Sequence, residues 1–343
     1  MVIRTKHIAI TFPLLAFCIF LYLLNTSWGN PADRAITLSV YSFLMIFLFF
    51  NFYWELRDFW QYRWANIDTM DCEIQPLEIP IKWEAAEKNN AKTKLLAAPL
   101  IHSPRSSAQC PIVIFAHAFS DDKFFPRYLP IPIALAGFDV LTYDCRGTKG
   151  SRMAGNKNQF VQIMKDLGDV VQFTLENPLC QGRTINLVGI SLGAMASIKQ
   201  GLDHESIKNV VAVADMGDYS QNIPHSPIPF KSKWWVWLRF KIFGVPFNPP
   251  EHINEILSPA IQLKNKAKNF GSAEKWQQYI GEKLYLIHAR NDHIIPLDNF
   301  YLNLKNSQIG VDNWVMTNRG GHIFRKFEPL VIASIIKGLN AKK

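Results

Sequence analysis

RTINLVGIS (183–191) runs without a break into LGAMASIKQGL (192–202). The first stretch is apolar and rich in residues that favour a strand, and the second is made of good helix formers. Gly189-Ile190-Ser191-Leu192-Gly193 therefore turns a strand directly into a helix. A serine at such a junction is held in a strained turn with its hydroxyl pointing away from the sheet. Side chains two residues before and after it would collide, which is why glycine suits 189 and 193. Ala194 and Ala196 let the helix lie close to the sheet. The first turn of the helix also presents N–H groups and a partial positive charge. The Leu192 N–H is thus placed to donate to an oxyanion forming beside Ser191.

From about residue 72 onward, short β-rich runs alternate with longer amphipathic stretches, the texture of a parallel sheet with crossover helices. IQPLEIPIKW (74–83) and KLLAAPLIHS (94–103) read as a leading antiparallel pair. PIVIFAH (111–117), FDVLTYD (138–144), NVVAVAD (209–215) and KLYLIHAR (283–290) read as further strands, with another near 311–316. Helices are expected up to about Gly137, over 157–176, near 297–306, and from about 325. Residues 216–281 break this rhythm and are expected to cap the site. Within them Trp234, Trp235, Leu238 and Ile242 share one helical face. That face either packs on the catalytic core or lies at a membrane surface, and both alternatives stay open at this point.

A serine hydroxyl is a poor nucleophile without a base. The base is expected on a loop after the last strand, where Gly320-Gly321-His322 stands. The chain has nine histidines, so position counts for more than residue type. His102, His204, His225 and His252 fall at a sheet edge, on a helix or in the insertion, and read as surface or packing residues. The acid that orients the base is expected after the penultimate strand, where His288-Ala289-Arg290-Asn291-Asp292 ends in Asp292. Asp298 and Asp312 read instead as a helix start and a strand edge. Ser191, Asp292 and His322 thus fall at three separately predicted strand ends, in that chain order.

These motifs resemble those of the α/β-hydrolase superfamily, the broad group of esterases, lipases, dienelactone hydrolases and prolyl-oligopeptidase-like enzymes, over about residues 110–340. His117-Ala118-Phe119 resembles the His-Gly-x oxyanion motif, with Ala118 in place of the usual glycine. By that match the Phe119 N–H is the second oxyanion donor beside Leu192. Tyr143-Asp144-Cys145-Arg146-Gly147-Thr148-Lys149-Gly150-Ser151 resembles the structural Asp-x-Arg-Gly-x-Gly-x-Ser loop, with its second glycine displaced by one residue. The resemblance implies an α/β fold with a mostly parallel central sheet, helices on both faces and a cap insertion. It also implies two-step acyl transfer through an acyl-enzyme, needing no metal or organic cofactor.

An N-terminal hairpin lies outside that resemblance. Residues 8–24 and 36–54 carry no charge, and each is close to the roughly 20 residues that cross a bilayer as a helix. Gly29 and Pro31 suit a turn between them, and Trp28, Tyr53 and Trp54 stand where interfacial aromatics belong. Arg4 and Lys6 precede the first span, Arg57 and Arg63 follow the second, and only Arg34 lies in the connection. Excess basic residues mark the cytoplasmic side. A two-pass anchor over residues 1–60 is therefore expected, with a cytoplasmic catalytic domain over 72–343.

The net charge of +9 fits a protein held near anionic lipid, and no nucleic-acid motif accompanies it. Five scattered cysteines without a C-x-x-C pair argue against a disulfide or metal framework. An acyl ester or lipid substrate is expected. A peptidase or thioesterase using the same triad, or a silent membrane scaffold, are the competing classes.

Overall fold

The architecture is seen in a computed structural model that describes residues 35–36, 38–43, 45–46, 71–81, 94–107, 109–119, 129–221, 244–245, 249–324 and 326–340. The chain divides into two compact units, Met1–Asn66 and Ile67–Lys343.

In the second unit, the residue pattern of each strand matches its place in the sheet. β1 (Ile74–Ile81) alternates exposed with less exposed residues along an edge. β3 (Ile112–Ala116), β4 (Asp139–Thr142), β5 (Ile185–Ile190) and β7 (Leu284–Ala289) are buried at every position. β6 (Ile207–Val213) is buried at all positions but one. Continuous burial of this kind belongs to parallel strands covered on both faces. With β2 (Lys94–Ile101) and β8 (Trp314–Thr317) the order is β1-β2-β4-β3-β5-β6-β7-β8. β1–β2 and β2–β4 pair antiparallel, and all pairs from β4 to β8 are parallel.

The helices are α1 (Pro130–Leu135), α2 (Phe160–Glu176), α3 (Leu192–Asp203), α4 (Glu251–Leu257), α5 (Pro259–Lys268), α6 (Ala273–Lys283), α7 (Leu297–Ser307) and α8 (Glu328–Asn340). Two adjacent residues of β6 show that they cover both faces. A Cβ on Gly201 of α3 would meet the Val210 side chain at 2.2 Å, and one on Gly338 of α8 would meet that of Val211 at 3.0 Å. Neighbouring strand residues point to opposite faces, so α3 and α8 lie on opposite sides.

Three expectations change in detail. The last strand is Trp314–Thr317, because 311–313 form a 3-10 turn. Asn313 Nδ2 pins that turn by donating to the carbonyls of Gly281 and Leu284. The last helix begins at Glu328 rather than 325, and the residues before it form the His322 loop. Of the stretch read as a cap, 251–283 forms α4, α5 and α6. α5 packs on α3 and α7, and α6 packs on β6 and β7 as the crossover into β7. Trp234, Trp235, Leu238 and Ile242 lie outside the described residues.

The span expected over 8–24 lies outside the described residues. Of that over 36–54, only a helical stretch within 35–46 is described, with Ile36, Leu38, Val40, Phe43 and Ile46 exposed. Among the described residues no helix is long and apolar enough to cross a membrane.

Candidate active site

Ser191 is the hinge between β5 and α3, at φ 54° and ψ −114°. For a residue with a side chain, such a conformation costs on the order of 1–3 kcal/mol and persists only where its surroundings fix it. Here they do. The Ser191 N–H donates to the Val213 carbonyl at 2.9 Å, and the Met195 N–H donates to the Ser191 carbonyl at 3.1 Å. A Cβ on Gly189 would fall 2.2 Å from the Gly193 carbonyl oxygen, and one on Gly193 would fall 2.1 Å from that of Ala116. No side chain fits at either position, as the sequence pattern requires. Ser191 itself is half-buried, and Leu192 opens α3.

The structure brings Asp292 and His322 together. His322 Nδ1 lies 2.8 Å from Asp292 Oδ2, with the Asp292 side chain fully buried and that of His322 16% exposed. Asp292 Oδ1 accepts the N–H groups of Ile294 and Ile295 at 2.8 and 2.9 Å. Burial pushes this carboxyl up. The neighbouring His322, His288 and the Ile295 N–H outweigh burial and hold it below the ordinary carboxylate range. An ionised Asp292 requires the proton on His322 Nδ1, which makes Nε2 the basic nitrogen.

His322 has to travel to reach that position. β8 stands three strand spacings from β5, about 14 Å. Gly320 and Gly321, at φ 124° and 63°, turn the chain back over the end of β7. Asn291 holds the turn, accepting the Gly321 N–H at 2.9 Å. Thr317 braces its start by donating to the Arg319 carbonyl at 2.8 Å. Neither residue stands out in the sequence as part of the site. An amide beside Asp292 and a hydroxyl at a strand end were the available signals. Asp298 falls in the first turn of α7, the helix start expected of it, whereas Asp312 lies in the 3-10 turn ahead of β8 and not at a strand edge.

His117 is buried and bonded on both ring nitrogens. Nε2 accepts the Cys145 N–H at 3.0 Å, so Nδ1 carries the proton and donates to the Ala118 carbonyl at 2.7 Å. In a trans peptide the N–H points opposite to the C=O. The Phe119 N–H is therefore turned away from the imidazole, and the Phe119 ring packs edge-on against Phe160 at 5.3 Å. Ala118 is accommodated here without glycine. The loop after β4 is equally braced. Arg146 forms a buried bidentate pair with Asp166, Asp144 accepts the Gly150 N–H at 3.0 Å, and Ser151 Oγ accepts the Ala97 N–H at 3.0 Å. The displaced glycine of this motif leaves the bracing intact.

Next to the elbow, the end of β6 carries a second buried acid. Asp215 Oδ2 accepts from Asn303 Nδ2 at 2.6 Å, while among the described residues neither Asp215 Oδ1 nor Asn303 Oδ1 has a hydrogen-bond partner. A proton shared between those two oxygens would close a ring of two hydrogen bonds. Burial, partly opposed by the Met216 N–H, pushes Asp215 well above the ordinary carboxylate range, the direction that favours such a proton. The pair clips the β6 loop to α7, where Asn299 Oδ1 also accepts the Gly217 and Asp218 N–H groups. Among the described residues no cluster of three or more His, Cys, Asp or Glu is arranged to hold a metal ion. Cys72, Cys110, Cys145 and Cys180 are free and buried.

Comparison with solved structures agrees with this topology. The chain is similar to an esterase of Pyrococcus furiosus, with a TM-score of 0.54 at 17% identity, covering 78% of this chain and 92% of that one. It is also similar to a 2,6-dihydroxy-pseudo-oxynicotine hydrolase (TM-score 0.54, 13% identity, 78% of this chain and 68% of that one). An acylaminoacyl peptidase of Pyrococcus horikoshii matches at a TM-score of 0.50 and 14% identity, over 80% of this chain and 40% of that one. No family model and no curated protein sequence matches. The chain has the α/β-hydrolase fold.

Proposed function

We propose that this protein is a membrane-anchored serine hydrolase that cleaves an acyl ester, in the manner of a carboxylesterase or lipase. The observation that carries the proposal is Ser191 fixed at positive φ between strand and helix, at the same end of the sheet as the Asp292–His322 pair. In this reading His322 takes the Ser191 proton as the hydroxyl attacks the acyl carbonyl. The Leu192 and Phe119 N–H groups stabilise the oxyanion. His322 then protonates the departing alcohol, and water, activated by the same base, releases the acyl group. Anchoring is supported by the uncharged stretches 8–24 and 36–54 and by the exposed apolar side chains between Ile36 and Ile46. The basic flanks favour a cytoplasmic hydrolase body.

Labelling by a fluorophosphonate tests this directly. The wild type should be labelled and Ser191→Ala should not. Absence of labelling on folded, detergent-solubilised wild type would favour the silent-scaffold alternative. A panel of esters, thioesters and peptides then separates esterase from thioesterase and peptidase, since all three share the acyl-enzyme.

A further inference from the structure

The loops leaving the carboxyl ends of β4, β7 and β8 are one-sided in charge. Lys149 and Arg152 are exposed and Lys157 is half-buried after β4; Arg290 is exposed after β7; Arg319 and Lys326 are exposed after β8. The carboxylates of the same loops, Asp144 and Asp292, are buried, as are Asp215 and Asp218 after β6. Asp298, in the first turn of α7, and Glu251 and Glu255 of α4, which Asn254 ties to the loop after β6, are exposed acids at the same end. Among the described residues Arg152, Lys157, Arg290, Arg319 and Lys326 form no ion pair. The opposite end of the sheet is mixed in sign, with Glu176, Asp203, Glu205, Glu282 and Asp312 exposed alongside Arg105, Lys208, Lys266, Lys305 and Lys337.

We propose that this basic collar, which flanks Ser191 on both sides, docks the hydrolase body onto a bilayer leaflet containing anionic phospholipid. Its width selects that occupant over a small anion. β4 and β8 stand five strand spacings apart, about 24 Å. A single phosphate or carboxylate on a substrate engages cations within about 4–6 Å and meets one side of the collar alone. A charged leaflet meets both sides at once. Each basic residue near such a surface strengthens partitioning by about fivefold. Met153, 87% exposed next to Arg152, adds an apolar side chain that gains by entering the headgroup region. Docked this way, the hydrolase body turns the end of the sheet that carries Ser191 and His322 toward the lipid.

This proposal rests on the collar and stands whether or not residues 1–60 span the membrane. The test uses the full chain with Met153→Cys carrying an environment-sensitive nitrobenzoxadiazole label, its signal taken over that of the unsubstituted protein. Vesicles contain phosphatidylcholine alone or mixed with phosphatidylserine, with a spin-labelled headgroup lipid as quencher. Quenching at 153 should be several-fold greater on the mixed vesicles and should fall at high salt. It should also fall to the neutral-vesicle level in R152E/R290E/R319E/K326E. A label at Glu282→Cys, at the opposite end, should be quenched on neither. Equal quenching at 153 on both vesicles, or equal quenching at 153 and 282, overturns the proposal. If the fourfold variant does not fold by circular dichroism, the salt titration of the Met153→Cys protein decides alone. Flotation on neutral vesicles reads the hairpin separately.

Discussion

Two histidine–aspartate pairs stand at opposite ends of the same sheet. At the amino end of β4, His102 Nδ1 meets Asp139 Oδ2 at 3.2 Å. At the carboxyl end of β7, His322 Nδ1 meets Asp292 Oδ2 at 2.8 Å. Both carboxylates are buried, and both are held below their ordinary range against the opposing effect of burial. Their surroundings separate them. Asp139 also binds Arg183, the Ser103 N–H and the Ser106 hydroxyl, and the second nitrogen of His102 meets Gln75 Oε1 at 3.2 Å. Every strong group there is spent on neighbours that close the sheet. Asp292 divides its oxygens between its own turn and one imidazole, on the loop that glycines swing back toward β5. A buried carboxylate beside a histidine therefore says little about catalysis until the remaining partners are counted.

Mutation should split the two pairs. On the proposed reading Ser191→Ala and His322→Ala each lower kcat by on the order of 10⁴-fold or more while the protein still unfolds cooperatively near its normal temperature. Near wild-type turnover in His322→Ala would remove it as the base. Asp292→Asn should follow, with kcat down about 10²–10⁴-fold because the amide no longer fixes the Nδ1–H tautomer. Asp139→Asn should behave in the opposite way. It leaves Arg183 with a buried, uncompensated charge, so urea unfolding should show a loss of about 3–5 kcal/mol, with kcat of the folded fraction unchanged. Equal kinetic damage from Asp139→Asn and Asp292→Asn would erase the distinction.

The third buried acid sharpens the comparison through pH. Asp139 and Asp292 titrate lower folded than unfolded, so their stabilisation is present above the ordinary carboxylate range and lost as pH falls through their folded values. Asp215 titrates higher when folded, so its contribution is full below the ordinary range and lost as pH rises toward its folded value. Asp215→Asn keeps a two-bond ring with Asn303 without needing a proton. Urea midpoints should therefore favour the variant increasingly between pH 5 and pH 8, and a gap constant across that interval would show that Asp215 is not protonated. The smallest effect is expected for His102→Gln, about 1 kcal/mol with no change in kcat, since Asp139 keeps its other donors.

Much of this was legible in the sequence, because the decisive signals are local. A strand, a helix and two glycines around Ser191 fix the elbow within five residues, and the β7 and β8 ends placed Asp292 and His322 by counting. His102, near a sheet edge, reads as a surface or packing residue, and in the structure it bonds Asp139 and Gln75. The remainder depends on contacts far apart in the chain. Asn303 meets Asp215 across 88 residues and Asn291 meets Gly321 across 30, and neither pairing leaves a periodic trace. The helices of 251–283 were hidden by aromatic and basic residues that resemble a cap in composition. In the structure Trp276 is fully buried, beside Phe270 and Tyr279.

The strained turn at Ser191 ties chemistry to the order of folding. Its conformation is held from one side by the Val213 carbonyl of β6 and from the other by the close approach of Gly193 to Ala116 at the end of β3. Those contacts join residues some twenty and eighty positions away, and distant contacts form late because loop closure must come first. A refolding chain with β5 and α3 in place but β3 or β6 undocked has no reason to keep a costly backbone conformation at the serine. On the proposed reading, reactivity at Ser191 would then appear only once the three central strands have closed, making that serine a built-in clock for assembly of the sheet's centre.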